Sequence, residues 1–149
     1  MMLDLWPGQL QRTTHFDDEM RQLADRHYSR RTVGAAQFCG NGPKIVLRDA
    51  GGLVLWVWMN FGLDRWDGQT GYYNQWFRNE SDRLASDIIL EAETHAETRW
   101  GPGRMYTYVD PAKVRSSNPG YCYLKAGWHR HGWSKGGKLL LVKHDECDS

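Results

Sequence analysis

Apolar residues recur along the chain in two rhythms, one helical and one alternating. In "TTHFDDEMRQLADRHYSRR" (residues 13–31), Phe16, Met20, Leu23, Ala24 and His27 recur at helical spacing. Thr14 is placed to cap this helix, and Asp17 and Asp18 fall in its first turn, where acids suit the dipole. "KIVLRD" (44–49) and "LVLWVWM" (53–59) are β-rich runs joined through Ala50-Gly51-Gly52, which predicts a hairpin. "FGLDRWDGQTG" (61–71) is a polar, glycine-marked loop, and "YYNQWF" (72–77) reads as another strand. The longest helical pattern is "SDRLASDIILEAETHAETRW" (81–100), with Leu84, Ile88, Ala92 and His95 as its expected buried stripe. Ser81 or Ser86 is the expected cap, and Gly101-Pro102 the stop. "RMYTYV" (104–109) predicts a strand, "GYCYLKAGW" (120–128) a short helix or turn, and "KLLLV" (138–142) a final strand.

A strand, a long helix and a strand in succession favour a parallel pair with a right-handed crossover. The preceding hairpin is antiparallel. The expected architecture is therefore α/β: a three-layer sandwich with a mixed, mostly antiparallel sheet. At 149 residues the chain fits a single domain, 1–149, with length enough for a real core.

Composition narrows the function classes. The formal net charge is +1, so the chain lacks the overall basic field of a nonspecific DNA binder. Cys39, Cys122 and Cys147 form no paired framework and no CxxC, which points to free thiols and a reducing, cytoplasmic setting. No stretch has the length of a membrane span, and "MMLDLWPGQLQR" does not read as a signal peptide. Eight tryptophans and seven tyrosines predict an aromatic core, with a groove for flat substrates such as nucleobases as the sharper expectation for some of them.

Tyr123-Leu124-Lys125-Ala126-Gly127-Trp128, following this order of elements, carries a resemblance. The chain from about Lys44 to Val142 resembles the GNAT superfamily of N-acyltransferases, whose late signature is a tyrosine with a Gly-aromatic pair four residues on. "HYSRR", "FRNES" and "YVDPAKVRSSNPGYCYLKAGW" are also similar to the Mom-like branch of phage and prophage proteins that modify DNA bases. The resemblance implies acyl-CoA or another acyl donor, and DNA as the acceptor of the acyl group. A conventional acetyl-CoA-dependent N-acetyltransferase of a small amine or protein is the alternative, and a noncatalytic DNA-binding module a further one. One departure stands out. Where the superfamily carries a Gln/Arg-x-x-Gly-x-Gly/Ala loop for the donor's pyrophosphate, this chain has "RNESDRLAS", with no glycine.

The resemblance also implies roles. A tyrosine after the second parallel strand gives a proton to the leaving thiolate; Tyr123 fits that position and Tyr121 is the near alternative. Two residues apart on a helical turn, they cannot share a face, so one of them is packing. Glu80, just past a strand end bordering the cleft, is the candidate general base, and Asp110, ending the next strand, a second catalytic carboxylate. Arg78 and Arg83 are candidate anion donors in place of the glycine N–H groups. Asn79, Ser86, His27, Tyr28 and Asn118 complete the donor- or acceptor-binding set. His27, Tyr28, Asp110 and Tyr121 show no metal-ligand spacing, so the expectation is orientation of the acceptor and no metal. Arg115, Lys125, Arg130, Trp133 and Lys135 form the candidate nucleic-acid rim, where cations would meet phosphates and an indole would stack on a base.

Overall fold

The computed structural model describes residues 9–26, 39–40, 42–61, 68–112 and 119–145. Strict alternation in the most apolar run sets the plan. Val54, Trp56 and Trp58 face one side of the sheet, and Leu55, Val57 and Met59 the other, all fully buried. A strand buried on both faces needs cover on both. Burying a side chain of this size contributes roughly 1.5–3 kcal/mol, so these six positions hold the layers together.

The elements run β1 (Gln11–Thr13), α1 (Asp18–Asp25), β2 (Lys44–Arg48), β3 (Val54–Asn60), β4 (Tyr72–Asn79), α2 (Ala85–Trp100), β5 (Met105–Val109), α3 (Tyr121–Lys125), β6 (His129–Trp133) and β7 (Leu139–Lys143). The sheet order is β1-β2-β3-β4-β5-β7-β6. Every neighbouring pair is antiparallel except β4 and β5, which are parallel. On one face, Met20, Leu23 and Ala24 of α1 pack with Val46, Leu55, Val57, Met59 and Trp76. On the other, Ile88, Ile89, Ala92 and Ala96 of α2, with Tyr123 of α3, pack on Ile45, Leu47, Trp56, Trp58 and Met105. This is the mixed α/β sandwich that the sequence predicts. No helix among the described residues is long and apolar enough to cross a membrane.

Two glycines are dictated by geometry. Gly71 enters β4 at φ 104°, and a Cβ there would lie 2.0 Å from the Arg104 carbonyl oxygen, which the Tyr72 N–H reaches at 2.7 Å. Gly120 starts α3 at φ 79°, where a Cβ would meet the Leu141 side chain at 2.6 Å. Gly120 is thus a close-packing requirement.

Several local expectations are corrected. α1 is capped by Asp17, whose side chain accepts from the Met20 N–H, so Thr14 is not the cap and Phe16 is exposed. α2 starts at Ala85 after Leu84, which is 65% exposed, and neither Ser81 nor Ser86 caps it. Its buried stripe is Ile88, Ile89, Ala92, Glu93 and Ala96; His95 is only half-buried. Glu93 lies inside because Lys143 Nζ is 2.8 Å from its Oε1 and the Trp128 indole N–H donates to its Oε2 at 2.9 Å. β1 and β6 carry no strand expectation from the sequence.

Candidate active site

The parallel pair is short. β4 and β5 share only the register pairs Tyr72↔Met105 and Tyr73↔Tyr106. Immediately beyond, the Thr107 hydroxyl donates to the Asn74 carbonyl at 2.9 Å. Past that point β5 goes on pairing with β7 as far as Val109↔Leu139, while β4 goes on pairing with β3 as far as Asn79↔Val54. The two strands therefore part, and a wedge opens between residues 75–79 and 107–109.

A β-bulge sits at the same place. Val57 pairs with Trp76 and Trp58 with Asn74, so Gln75 is the extra residue. Bulges bend a strand and re-aim its side chains. The Asn74 amide holds this one, its Nδ2 donating to the Val57 carbonyl at 3.1 Å and the Trp76 carbonyl at 2.8 Å. Its Oδ1 accepts from the Tyr123 hydroxyl. Tyr123 is 6% exposed, with its ring against Trp56, Phe77 and Trp128. Its polar atom lies at the narrow end of the wedge. Tyr121 is 53% exposed, with Lys125 Nζ over its ring at 6.0 Å. α3 thus presents one tyrosine inward and the other outward, as residues two apart require.

The loop from β4 to α2 replaces glycines with a pinned polar turn. Asn79 Nδ2 donates to the Arg83 carbonyl at 2.9 Å, and Asn79 Oδ1 accepts from the Ser81 N–H and hydroxyl at 2.9 and 2.6 Å. No side chain caps α2. The first N–H groups of a helix have no intrahelical acceptor and carry the positive end of its dipole. Here these belong to Ala85, Ser86 and their neighbours, at the wide end of the wedge.

Glu80 extends β4 by donating its N–H to the Leu53 carbonyl at 2.8 Å. Its carboxylate accepts from Arg26 at 2.9 and 3.1 Å and from Arg78 at 3.0 Å. The Arg26 hydrogen bonds, against some desolvation and aided by Arg78, hold its pKa below the ordinary range. That arrangement weakens it as a proton acceptor and makes it a tie between the end of α1 and the end of β4. Arg83 pairs with Glu91 at 2.9 Å. Asp110, half-buried at the end of β5, accepts from the Ala112 N–H at 3.0 Å.

Sequence reasoning misses Asn74 and Thr107, and also three tyrosines on the α1 side of the sheet. Tyr73 and Tyr106 stack with centroids 5.1 Å apart, and Tyr108 lies 6.1 and 6.2 Å from them. The i, i+2 spacing of Tyr106 and Tyr108 in a strand was the available signal. Of the rim residues, Lys125 is on α3, Arg130 and Trp133 are on the edge strand β6, and Lys135 is in the β6–β7 turn, all exposed; Trp133 is 65% exposed. His27, Tyr28, Arg115 and Asn118 lie outside the described residues.

A separate concavity of about 360 Å³ lies between β1 and α2, lined by residues including Arg12, Glu91, His95 and Arg99. It is not the wedge, and none of the candidate catalytic, donor-binding or rim residues lines it.

Solved structures share this fold. The aminoglycoside 6'-N-acetyltransferase from Enterococcus faecium superposes with a TM-score of 0.62 at 14% identity, over 90% of this chain and 95% of that one. The aminoglycoside acetyltransferase AAC(6')-Ib in complex with coenzyme A and kanamycin gives 0.62 at 16%, over 91% and 93%. An acyl-CoA N-acyltransferase from Pseudomonas aeruginosa gives 0.59 at 13%, over 91% and 98%. The fold is the GNAT fold. No family model matches the chain, and no curated protein sequence does. These GNAT neighbours lend no support to the Mom-like phage branch or to DNA as a partner.

Proposed function

We propose that the chain is an acyl-CoA-dependent N-acyltransferase whose acceptor is a small amine. The observation that carries this reading is the wedge: two parallel strands that part after two residue pairs, with a buried tyrosine hydroxyl at the apex and an uncapped helix N-terminus at the mouth. That combination can take a thioester with its phosphates at one end and its reactive carbonyl at the other. Neighbours of the same fold are acetyltransferases, one of them an aminoglycoside acetyltransferase seen with coenzyme A and kanamycin. This supports an amine acceptor over a DNA base.

In the reaction the amine nitrogen attacks the thioester carbonyl, the C–S bond breaks, and the thiolate leaves. The N-terminus of α2 offers N–H groups to the donor's phosphates. Its loop, pinned by Asn79, does the work of the absent glycines by fixing backbone direction. Tyr123 is the proton donor for the thiolate. Rotation about its C–O bond turns the hydroxyl from Asn74 towards the wedge. Asn74 is a positioning residue, holding both that hydroxyl and the bulge. Asp110, at the wide end, takes the proton that the amine loses. Tyr73 and Tyr108, half-buried on the α1 side, offer ring faces that attract an ammonium group.

The test is acetyl-CoA turnover with a panel of small amines and with DNA, reading thiol release and the mass of the acceptor. Amine-dependent release with an acetylated amine is the expected result. Release with no amine, or modified nucleosides alone, would overturn this reading; the second outcome would return the acceptor to DNA.

A further inference from the structure

The end of the sheet opposite the wedge carries a second cluster of chemistry-bearing side chains. β6 pairs with β7 through His129↔Val142 and Arg130↔Leu141, then slips so that Gly132 faces Leu140. His131 is the bulged residue. The His129 and His131 rings lie with centroids 6.0 Å apart. Asp145 follows β7, two residues past Lys143, which pairs with Met105 at the start of β5. That brings its Oδ2 within 3.7 Å of His131 Nδ1. One ligand atom from each of His129, His131 and Asp145 lies within 4.8 Å of the others.

We propose that His129, His131 and Asp145 bind one late first-row divalent cation, of which zinc is the type, clipping the edge strand β6 to the segment after β7. Two imidazoles and one carboxylate are a donor set that such ions favour over magnesium or calcium. With bonds of about 2.0–2.2 Å, ligand atoms around a tetrahedral ion sit roughly 3.3–3.5 Å apart. The His131–Asp145 distance is already near that value. The remaining separations are at most 4.8 Å, and they close by side-chain rotation of His129 and of His131, which is exposed on the edge strand. Positive charge nearby sets the limit on affinity. Arg104 Nε is 3.5 Å from Asp145 Oδ1, and Lys143 and His144 flank the segment, both within reach of Glu93. The ion would displace Arg104 from Asp145 and keep open positions for water. The wedge opens at the other end of β5, where Val109 pairs with Leu139, so the ion is structural and acyl transfer proceeds without it.

The experiment strips the full chain with a chelator and titrates zinc against a chromogenic competitor. The expected result is one ion per chain, with dissociation on the order of micromolar, weaker than four-ligand structural zinc. His131→Ala and His129→Ala each weaken binding by about tenfold or more, while His144→Ala leaves it unchanged. Zinc raises the melting temperature of the parent chain and not that of His131→Ala, whose fold is checked by circular dichroism. Absence of binding at tens-of-micromolar zinc, or binding untouched by both His129→Ala and His131→Ala, overturns the proposal.

Discussion

Replacing Tyr123 by Phe removes one oxygen and leaves the ring among Trp56, Phe77 and Trp128. Two effects follow, and they are read separately. The buried Asn74 Oδ1 loses the donor that satisfies it. An orphaned buried acceptor costs about 1–3 kcal/mol. For a chain near 150 residues each kcal/mol is worth roughly 2–4 °C, so the melting temperature falls by about 2–12 °C. The second effect is on turnover. A proton needed only as the C–S bond breaks contributes to the transition state and not to ground-state binding. The kcat falls by about 10²-fold, or roughly 2.7 kcal/mol at 1.36 kcal/mol per tenfold, with KM for the donor nearly constant. Tyr121→Phe is the control: its ring is exposed, so neither quantity moves. Thiol release under saturating acetyl-CoA and amine gives kcat, and scanning calorimetry gives the melting temperature. A kcat within twofold of the parent in a folded Tyr123→Phe chain would refute the proton-donor role. An unchanged melting temperature would refute the hydrogen-bond argument.

Lys143→Met leaves the Glu93 carboxylate buried with the Trp128 indole N–H bonded to it and the His144 imidazole 3.9 Å away, and lowers stability by about 3–5 kcal/mol in urea unfolding; adding Glu93→Gln restores part of that. A loss below about 1 kcal/mol would show the pair to be solvated. Burial, aided by Arg12 and opposed by Glu91, lowers the pKa of His95, so below its ordinary value the unfolded chain binds the proton more readily than the folded one. Stability is full above about pH 6.5 and declines as pH falls; His95→Gln flattens that limb in melting curves, and an unaltered slope would count against it. Arg26→Ala lets the Glu80 carboxyl titrate nearer its ordinary range in an NMR titration, while stability drops by less than about 1 kcal/mol because the pair is partly exposed.

The elements legible in the sequence were those whose signal is local. The alternation from Val54 to Met59 and the helical spacing of Ile88 and Ala92 reflect burial that each segment achieves by itself. β6 was invisible because its residues mostly face solvent, and an edge strand needs no apolar face to pair. The start of α2 was misplaced because the Asn79–Ser81 turn uses up the residues that otherwise cap a helix. At the site, the tyrosine signature located α3, but which tyrosine points inward depends on how α3 docks on the sheet. Asn74 and Thr107 gave no sign in sequence, because an asparagine in a strand acquires meaning only from a bulge and from a neighbouring strand that turns away. Glu80 looked like a free carboxylate beside a cleft; its two arginines, one of them 54 residues distant, come together only in the folded chain.

The brevity of the β4–β5 seam has a consequence for how the molecule breathes. Five antiparallel ladders hold β1–β4 on one side and β5, β7 and β6 on the other, yet the strand pairing between the halves amounts to two residue pairs. Cooperative units of a protein divide where such stitching is thinnest. The two flanks are thus built to loosen against each other, with α2 as the strap between them. Those amides of residues 75–79 and 107–109 that point into the wedge would exchange with solvent sooner than the amides of β3 and β7, and a molecule lodged there would slow both sets together, acting as the missing keystone of the sheet.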